Sequence, residues 1–151
     1  MSSDEAFRVM ELGLQGFKCS QILALLALEA QENQNPDLVR AMTGLLSGYS
    51  CGKLCGALTG GCCVLGMYAG KDSAECNADP SLGRMLRSYS EWFETEYTPR
   101  YGGINCSDIV GDDARNQMKR CPAIVIECWD KLKELLAEND YDVSQPYQPG
   151  R

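Results

Sequence analysis

Histidine is missing altogether from these 151 residues. That absence rules out a Ser-His-Asp triad, a Cys-His nucleophile pair, an imidazole metal ligand and a Cys-x-x-Cys-His haem attachment. Any base or ligand must be a thiolate, a carboxylate, lysine, tyrosine, backbone or solvent. Cys-x-x-Cys is also absent, which weakens the thioredoxin-like and zinc-knuckle readings. Neither ferredoxin ligand spacing occurs. Positive charge is scarce: 14 Lys and Arg stand against 21 Asp and Glu, for a net charge of −7. That balance argues against nucleic acid and anionic membrane surfaces as partners. No apolar run reaches the length of a membrane span, the longest being Ile22 to Leu28. The start, Met1-Ser2-Ser3-Asp4-Glu5, is acidic where a secretory leader is basic. The expectation is a soluble, cytoplasmic protein with neither nucleic-acid nor membrane partners.

What is abundant is cysteine and glycine. The length suits one domain, and an apolar content of 44% argues against disorder. Nine cysteines stand at 19, 51, 55, 62, 63, 76, 106, 121 and 128. In a reducing compartment such a count points to metal, redox or nucleophilic work before a disulfide framework. Eight of the fifteen glycines fall between 44 and 70, and Gly44, Gly48, Gly52, Gly56 and Gly60 lie four apart. A helix interior disfavours glycine by roughly 1 kcal/mol relative to alanine. Either two helices approach closely there, or backbone comes near a bound group.

Periodicity predicts an all-α bundle of about six helices in a domain over 1–138, with an irregular tail over 139–151. The first helix runs from 3 to 17, with Ser3 as cap and Ala6, Val9, Met10, Gly13, Leu14 and Phe17 as its apolar positions. The second, about Ser20 to Gln31, is apolar nearly all round and belongs in the centre. Asn35-Pro36 opens a third, whose apolar positions continue to Tyr49, before a break over 47–53. A glycine-rich helix covers Leu54 to Ala69 and stops at Gly70. Asp79-Pro80 opens a fifth, which Thr98-Pro99 ends. A short helix over 106–110 is compatible with the pattern, and Cys121-Pro122 opens the last. No segment alternates convincingly as a strand.

The chemistry concentrates in Ser50-Cys51-Gly52-Lys53-Leu54-Cys55-Gly56-Ala57-Leu58-Thr59-Gly60-Gly61-Cys62-Cys63. If this stretch is helical, Cys51 and Cys55 share a face. If Cys51 lies in the preceding loop, Cys55 sits at a helix N-terminus, where dipole and free amides lower a thiol pKa. Both arrangements favour a thiolate, and Cys55 and Cys51 are the candidate reactive pair. Gly56 and Gly60 are candidates to expose backbone to a bound group. Lys53 reads as a solvated lysine. Cys19, Cys106 and Cys121 each fall at an element boundary, where functional side chains concentrate. Cys62, Cys63 and Cys128 lie in apolar helical pattern and read as core cysteines. Cys76 sits in a polar loop. Glu91, Glu94, Glu96, Asp112 and Asp113 read as solvated faces and a turn.

From about Phe17 to Cys121 the chain resembles the C_GCAxxG_C_C family of redox-active proteins. Cys19 corresponds to the family's first cysteine and Cys106 and Cys121 to its last two. Cys55-Gly56-Ala57-Leu58-Thr59-Gly60, followed by Leu65-Gly66 and Gly70, corresponds to the central block. The chain reads Cys-Gly-Ala where the family name writes Gly-Cys-Ala, and it carries additional cysteines at 51, 62 and 63. The family is spread among anaerobic bacteria and archaea and is similar to a domain of split-Soret cytochromes, where an iron–sulfur centre accompanies haem. The resemblance implies an iron–sulfur cluster on Cys19, Cys55, Cys106 and Cys121. It does not extend to haem, because histidine is lacking.

Three readings compete. The first is a redox protein, with either a cluster or a dithiol/disulfide centre and a redox partner protein. The second is an accessory or carrier subunit with mainly buried structural cysteines. The third is a zinc structural domain, disfavoured by the missing knuckle spacing. All depend on whether the fold gathers residues 19, 55, 106 and 121.

Overall fold

A computed structural model describes residues 3–146 and is all-α. Among the described residues there are seven α-helices: α1 (Ser3–Leu14), α2 (Cys19–Ala30), α3 (Pro36–Met42), α4 (Gly56–Ala69), α5 (Ser81–Tyr101), α6 (Cys106–Val110) and α7 (Asn116–Glu138). The only extended pairing among them is one antiparallel bridge, Leu54 with Asn105.

Helix α2 is central, as its all-round apolar pattern predicts. Leu23, Ala24 and Ala27 are fully buried, and α2 packs most extensively against α4. Helices α5 and α7 close the other sides of α4. Small residues permit this close approach. A Cβ built on Gly60 would sit 2.7 Å from the Cα of Ser20, so α2 and α4 meet backbone to backbone. Ser20 itself is buried, and its hydroxyl donates to the Met42 carbonyl at 2.8 Å, tying α2 to the end of α3. On α5, Met85, Tyr89, Phe93 and Tyr97 repeat at one helical turn and are fully buried. The N-terminal helix α1 is held to α7 by Glu5, which accepts from Trp129 Nε1 and from Lys133 Nζ at 2.8 Å.

Several ends obey their local signals. Asn35 caps α3, its Oδ1 accepting from the Leu38 amide at 3.1 Å, and Gly70 ends α4. Two prolines do not stop a helix as expected. α5 runs through Pro99 to Tyr101, and α7 begins at Asn116, so Pro122 lies inside it. The first turns of α7 are tethered to α6, because Asn116 Nδ2 donates to the Val110 carbonyl and Arg120 Nη1 to that of Ile109. Those bonds hold helical backbone on the N-terminal side of Pro122. Of the apolar positions predicted for α1, Val9 is buried whereas Met10 and Leu14 are exposed, and Leu12, outside the predicted set, is buried.

The predicted third helix is cut short at Met42. A 3₁₀ turn follows at Thr43–Leu45, and then an unusual reversal. Ser47, Gly48, Tyr49 and Ser50 all take left-handed backbone, with φ of 54°, 57°, 60° and 59°. For the three that are not glycine this costs roughly 1–2 kcal/mol each. Gly48 is obligatory, since a Cβ there would lie 2.3 Å from the Lys53 backbone. Of the C-terminal segment, Tyr141 and Val143 pack against the core, and Tyr68 Oη donates to the Val143 carbonyl at 2.8 Å. The end of the predicted tail, 147–151, lies outside the described residues.

Candidate redox centre

Four separate elements deliver cysteines to one place. Cys19 is the first residue of α2, Cys55 caps α4, Cys106 begins α6 and Cys121 lies in α7. All four line a single cavity of about 220 Å³. The bridge that joins the loops before α4 and α6 sets two of them side by side. Cys55 N donates to the Ile104 carbonyl at 3.0 Å, and Cys106 N to that of Lys53 at 2.6 Å. Cys19 is admitted by Gly56: a Cβ at 56 would come within 2.6 Å of the Cys19 sulfur. This explains the inverted Cys-Gly order. Position 56 is filled by a neighbour's sulfur, and the thiol enters the cavity from position 55.

Burial dominates the electrostatics. Desolvation, then the neighbouring Cys55, pushes the Cys19 thiol up to about 12, against the Ser20 amide. Cys55 rises to about 11 by desolvation, although the Ala57 and Leu58 amides at the start of α4 pull the other way. No amide makes a cap hydrogen bond to the Cys55 side chain, and the Leu58 amide donates instead to the Cys55 carbonyl at 3.0 Å. Cys121 rises to about 12, through desolvation and then Cys55 and Cys106, opposed by Lys18 and Arg120. Cys106 is also raised by desolvation, with Lys18 countering. The expected thiolate at Cys55 is therefore corrected. The helix N-terminus is there, but dehydration outweighs its pull. Cys121 is corrected too, since it is not at a helix start.

The other candidates divide. Cys51 is exposed just after the left-handed reversal and does not line the cavity. Gly56 lines it; Gly60 does not, because its missing side chain makes room for Ser20. Cys128 is fully buried, as expected of a core cysteine, but Cys63 is exposed and Cys62 half-buried. Cys76 sits in its polar loop beside Asp72 and Ser73. Asp113 pairs with Arg115 and Glu96 with Arg100, as solvated faces do. Lys53 is exposed.

Sequence reasoning passed over Lys18, whose ammonium faces Cys106 and Cys121. Its position beside Cys19 was the available signal. Apart from Ser47 and Gln117 the rest of the lining is apolar, and it includes no carboxylate. Met10, Leu14 and Met118 line the cavity and are more than half exposed, so they form its rim.

Thiolates are soft donors suited to iron–sulfur clusters, zinc or copper(I). The four cysteines supply the count a cluster requires. Among the described residues, no three cysteine, aspartate or glutamate side chains converge tightly enough to hold one metal ion.

An all-α domain whose dispersed cysteines line one cavity defines a cysteine-centred helical protein. Residues 17–135 match the family described as "Putative redox-active protein (C_GCAxxG_C_C)", and the chain belongs to that family. No curated protein and no solved structure matches it. Among the described residues, no helix is long and apolar enough to cross a membrane.

Proposed function

We propose that this is an electron-transfer protein in which Cys19, Cys55, Cys106 and Cys121 hold an iron–sulfur cluster. One observation carries the reading: four of nine cysteines, far apart in the chain, line one cavity, and the other five do not. Such a group supplies one-electron chemistry when bound. The chain's part is to bind, bury and bias it. Four thiolates provide the ligation. The Ala57 and Leu58 amides at the start of α4 favour negative charge at Cys55, and such backbone dipoles bias a cluster's potential. Gly56 brings backbone against the cavity, and the apolar lining keeps water away. Binding must release thiol protons, so affinity rises with pH.

A dithiol/disulfide cycle among the same cysteines is the second reading. It is the weaker one, because attack needs a thiolate and burial keeps these thiols protonated. The exposed apolar rim of Met10, Leu14 and Met118, continued on α1 by Phe7, supports a redox partner protein docking over the mouth. Nine cysteines, all of them free thiols, fit a reducing, cytoplasmic setting.

The test is anaerobic reconstitution followed by iron, sulfide and zinc analysis and a visible spectrum. Stoichiometric iron and sulfide with visible charge-transfer absorption are expected. Serine at any of 19, 55, 106 or 121 should abolish or alter the absorption, and Cys51→Ser and Cys63→Ser should leave it unchanged. Colourless protein that binds no iron would end the cluster reading. Zinc alone, with unfolding by chelator, would make this a zinc structural domain. No metal, and thiols unreactive until denaturation, would favour an accessory subunit.

A further inference from the structure

Every helix that lines the four-cysteine cavity brings it a cysteine, except one. Helix α1 contributes Val9, Met10, Gly13 and Leu14 to the wall and no sulfur. It is also lightly embedded. Of its twelve residues only Val9 and Leu12 are buried, whereas the twelve of α2 include seven buried ones. Phe7, Met10 and Leu14 are each more than half exposed. Hydrophobic burial therefore holds α1 weakly, and segments with little burial open at the lowest cost.

The end of α1 suits separate movement. Gly16 takes a φ of 97°, and the Phe17 amide donates back to the Leu12 carbonyl at 3.1 Å, which closes the helix. A Cβ on Gly16 would meet nothing within 4 Å, so the pivot is unobstructed. Beyond it the chain is anchored, since Phe17 and Cys19 pack against the core. The family match begins at the same point, residue 17, so α1 lies outside the part that the family shares. What fastens α1 is largely polar and peripheral. Glu5 accepts from Trp129 and Lys133 on α7, and Arg8 donates to Glu29 on α2 at 2.6 Å. The Arg8 and Glu29 side chains are 35% and 40% exposed, and pairs in such surroundings hold weakly.

We infer that α1 is a lid on the four-cysteine cavity, hinged at Gly16 and latched by Glu5 and Arg8, which opens while the rest of the domain stays folded. Cys55 is buried, so any group that the cysteines hold must pass a wall to reach it. The wall that can move without displacing a cysteine is α1. Admission of a cluster through this opening rests on the proposed function; the lid itself does not.

The test compares two buried thiols in the metal-free full chain. Cys55 lines the cavity and Cys128 does not. Their alkylation by iodoacetamide is followed across sub-denaturing urea, where the slope measures the surface exposed by the opening that admits the reagent. Cys55 should react with a shallow slope and Cys128 with the slope of global unfolding. Without urea, Glu5→Ala should speed Cys55 alkylation about tenfold, the low end for a half-buried charge-assisted hydrogen bond. Arg8→Ala should speed it about threefold, because that pair is more exposed. Hydrogen exchange of the α1 amides should quicken by the same factors. Cys55 reacting with the global slope would overturn the lid, as would α1 amides that quicken while Cys55 does not. Should Glu5→Ala fail to fold, Arg8→Ala and the wild-type slopes decide the matter. In reconstitution, Glu5→Ala should take up iron faster than wild type and reach the same spectrum; equal rates would overturn the role in loading. If the wild type binds no iron, the cluster reading fails by itself, and the two slopes still decide the lid.

Discussion

Gly60→Ala and Gly66→Ala make a matched pair on one helix. Both lie inside α4, and each replaces a residue that a helix disfavours by roughly 1 kcal/mol. At Gly66 a Cβ meets nothing within 4 Å. The propensity gain should therefore appear almost undiminished, as about 0.5–1 kcal/mol of added stability. At Gly60 the new methyl would come 2.7 Å from the Ser20 Cα and 2.8 Å from its Cβ. Ordinary contact begins near 3.4 Å, so α2 and α4 must part by about 0.7 Å or more. The obstacle is backbone and cannot rotate away. Overpacking of this kind costs about 1–3 kcal/mol, which outweighs the propensity gain. Net destabilisation of about 1–2 kcal/mol is expected, read as a lower urea midpoint with unchanged slope. Because α2 carries Cys19 and α4 carries Cys55, Gly60→Ala should also loosen the centre and speed alkylation of Cys19. If Gly60→Ala is as stable as Gly66→Ala, the backbone contact between α2 and α4 is not as described.

Other perturbations test different parts. The metal-free protein should lose stability as pH rises from about 9 towards 11–12, because the unfolded chain sheds thiol protons that the folded chain retains. The rise of Cys55 from 9.0 to about 11 alone amounts to roughly 3 kcal/mol, fully present below the unfolded pKa, and urea midpoints across that range measure it. With a mild thiol reagent on native metal-free protein, Cys51 and Cys63 should react first and Cys55 and Cys128 last, as mapped by peptide mass analysis. Asn35→Ala removes the α3 cap and should cost about 1 kcal/mol, a fall in Tm of about 2–4 °C. Met118→Glu at the rim should leave the visible spectrum unchanged and slow electron exchange with a partner protein; an unaffected rate would move the docking surface elsewhere.

The helices were legible where local chemistry decides them. The Asn35 cap, the stop at Gly70 and the α5 stripe of Met85, Tyr89, Phe93 and Tyr97 all rest on neighbours within a few residues. The two prolines misled because each looked like a boundary, whereas Asn116 and Arg120 hold the start of α7 through bonds to α6. The left-handed reversal at Ser47 to Ser50 was hidden because only one of its four residues, Gly48, suits that backbone. The gathering of four cysteines could be stated from boundary positions, and all four do line one cavity. The protonation state could not, because local sequence shows the helix N-terminus at Cys55 and not the dry surroundings that overrule it. The fit of Tyr89 against Gly61 was likewise invisible, since the two are neighbours only in three dimensions.

The sulfurs at 19, 55, 106 and 121 lie on elements that span most of the chain. None of the intervening segments holds more than one wall of the cavity, so no fragment or half-made chain possesses the site. During synthesis the first two thiols emerge long before the fourth, and they must wait as ordinary reduced cysteines until α7 is made. Formation of the four-cysteine cavity thus requires the whole domain, and a mutation that delays docking of α7 would impair it without touching a cysteine.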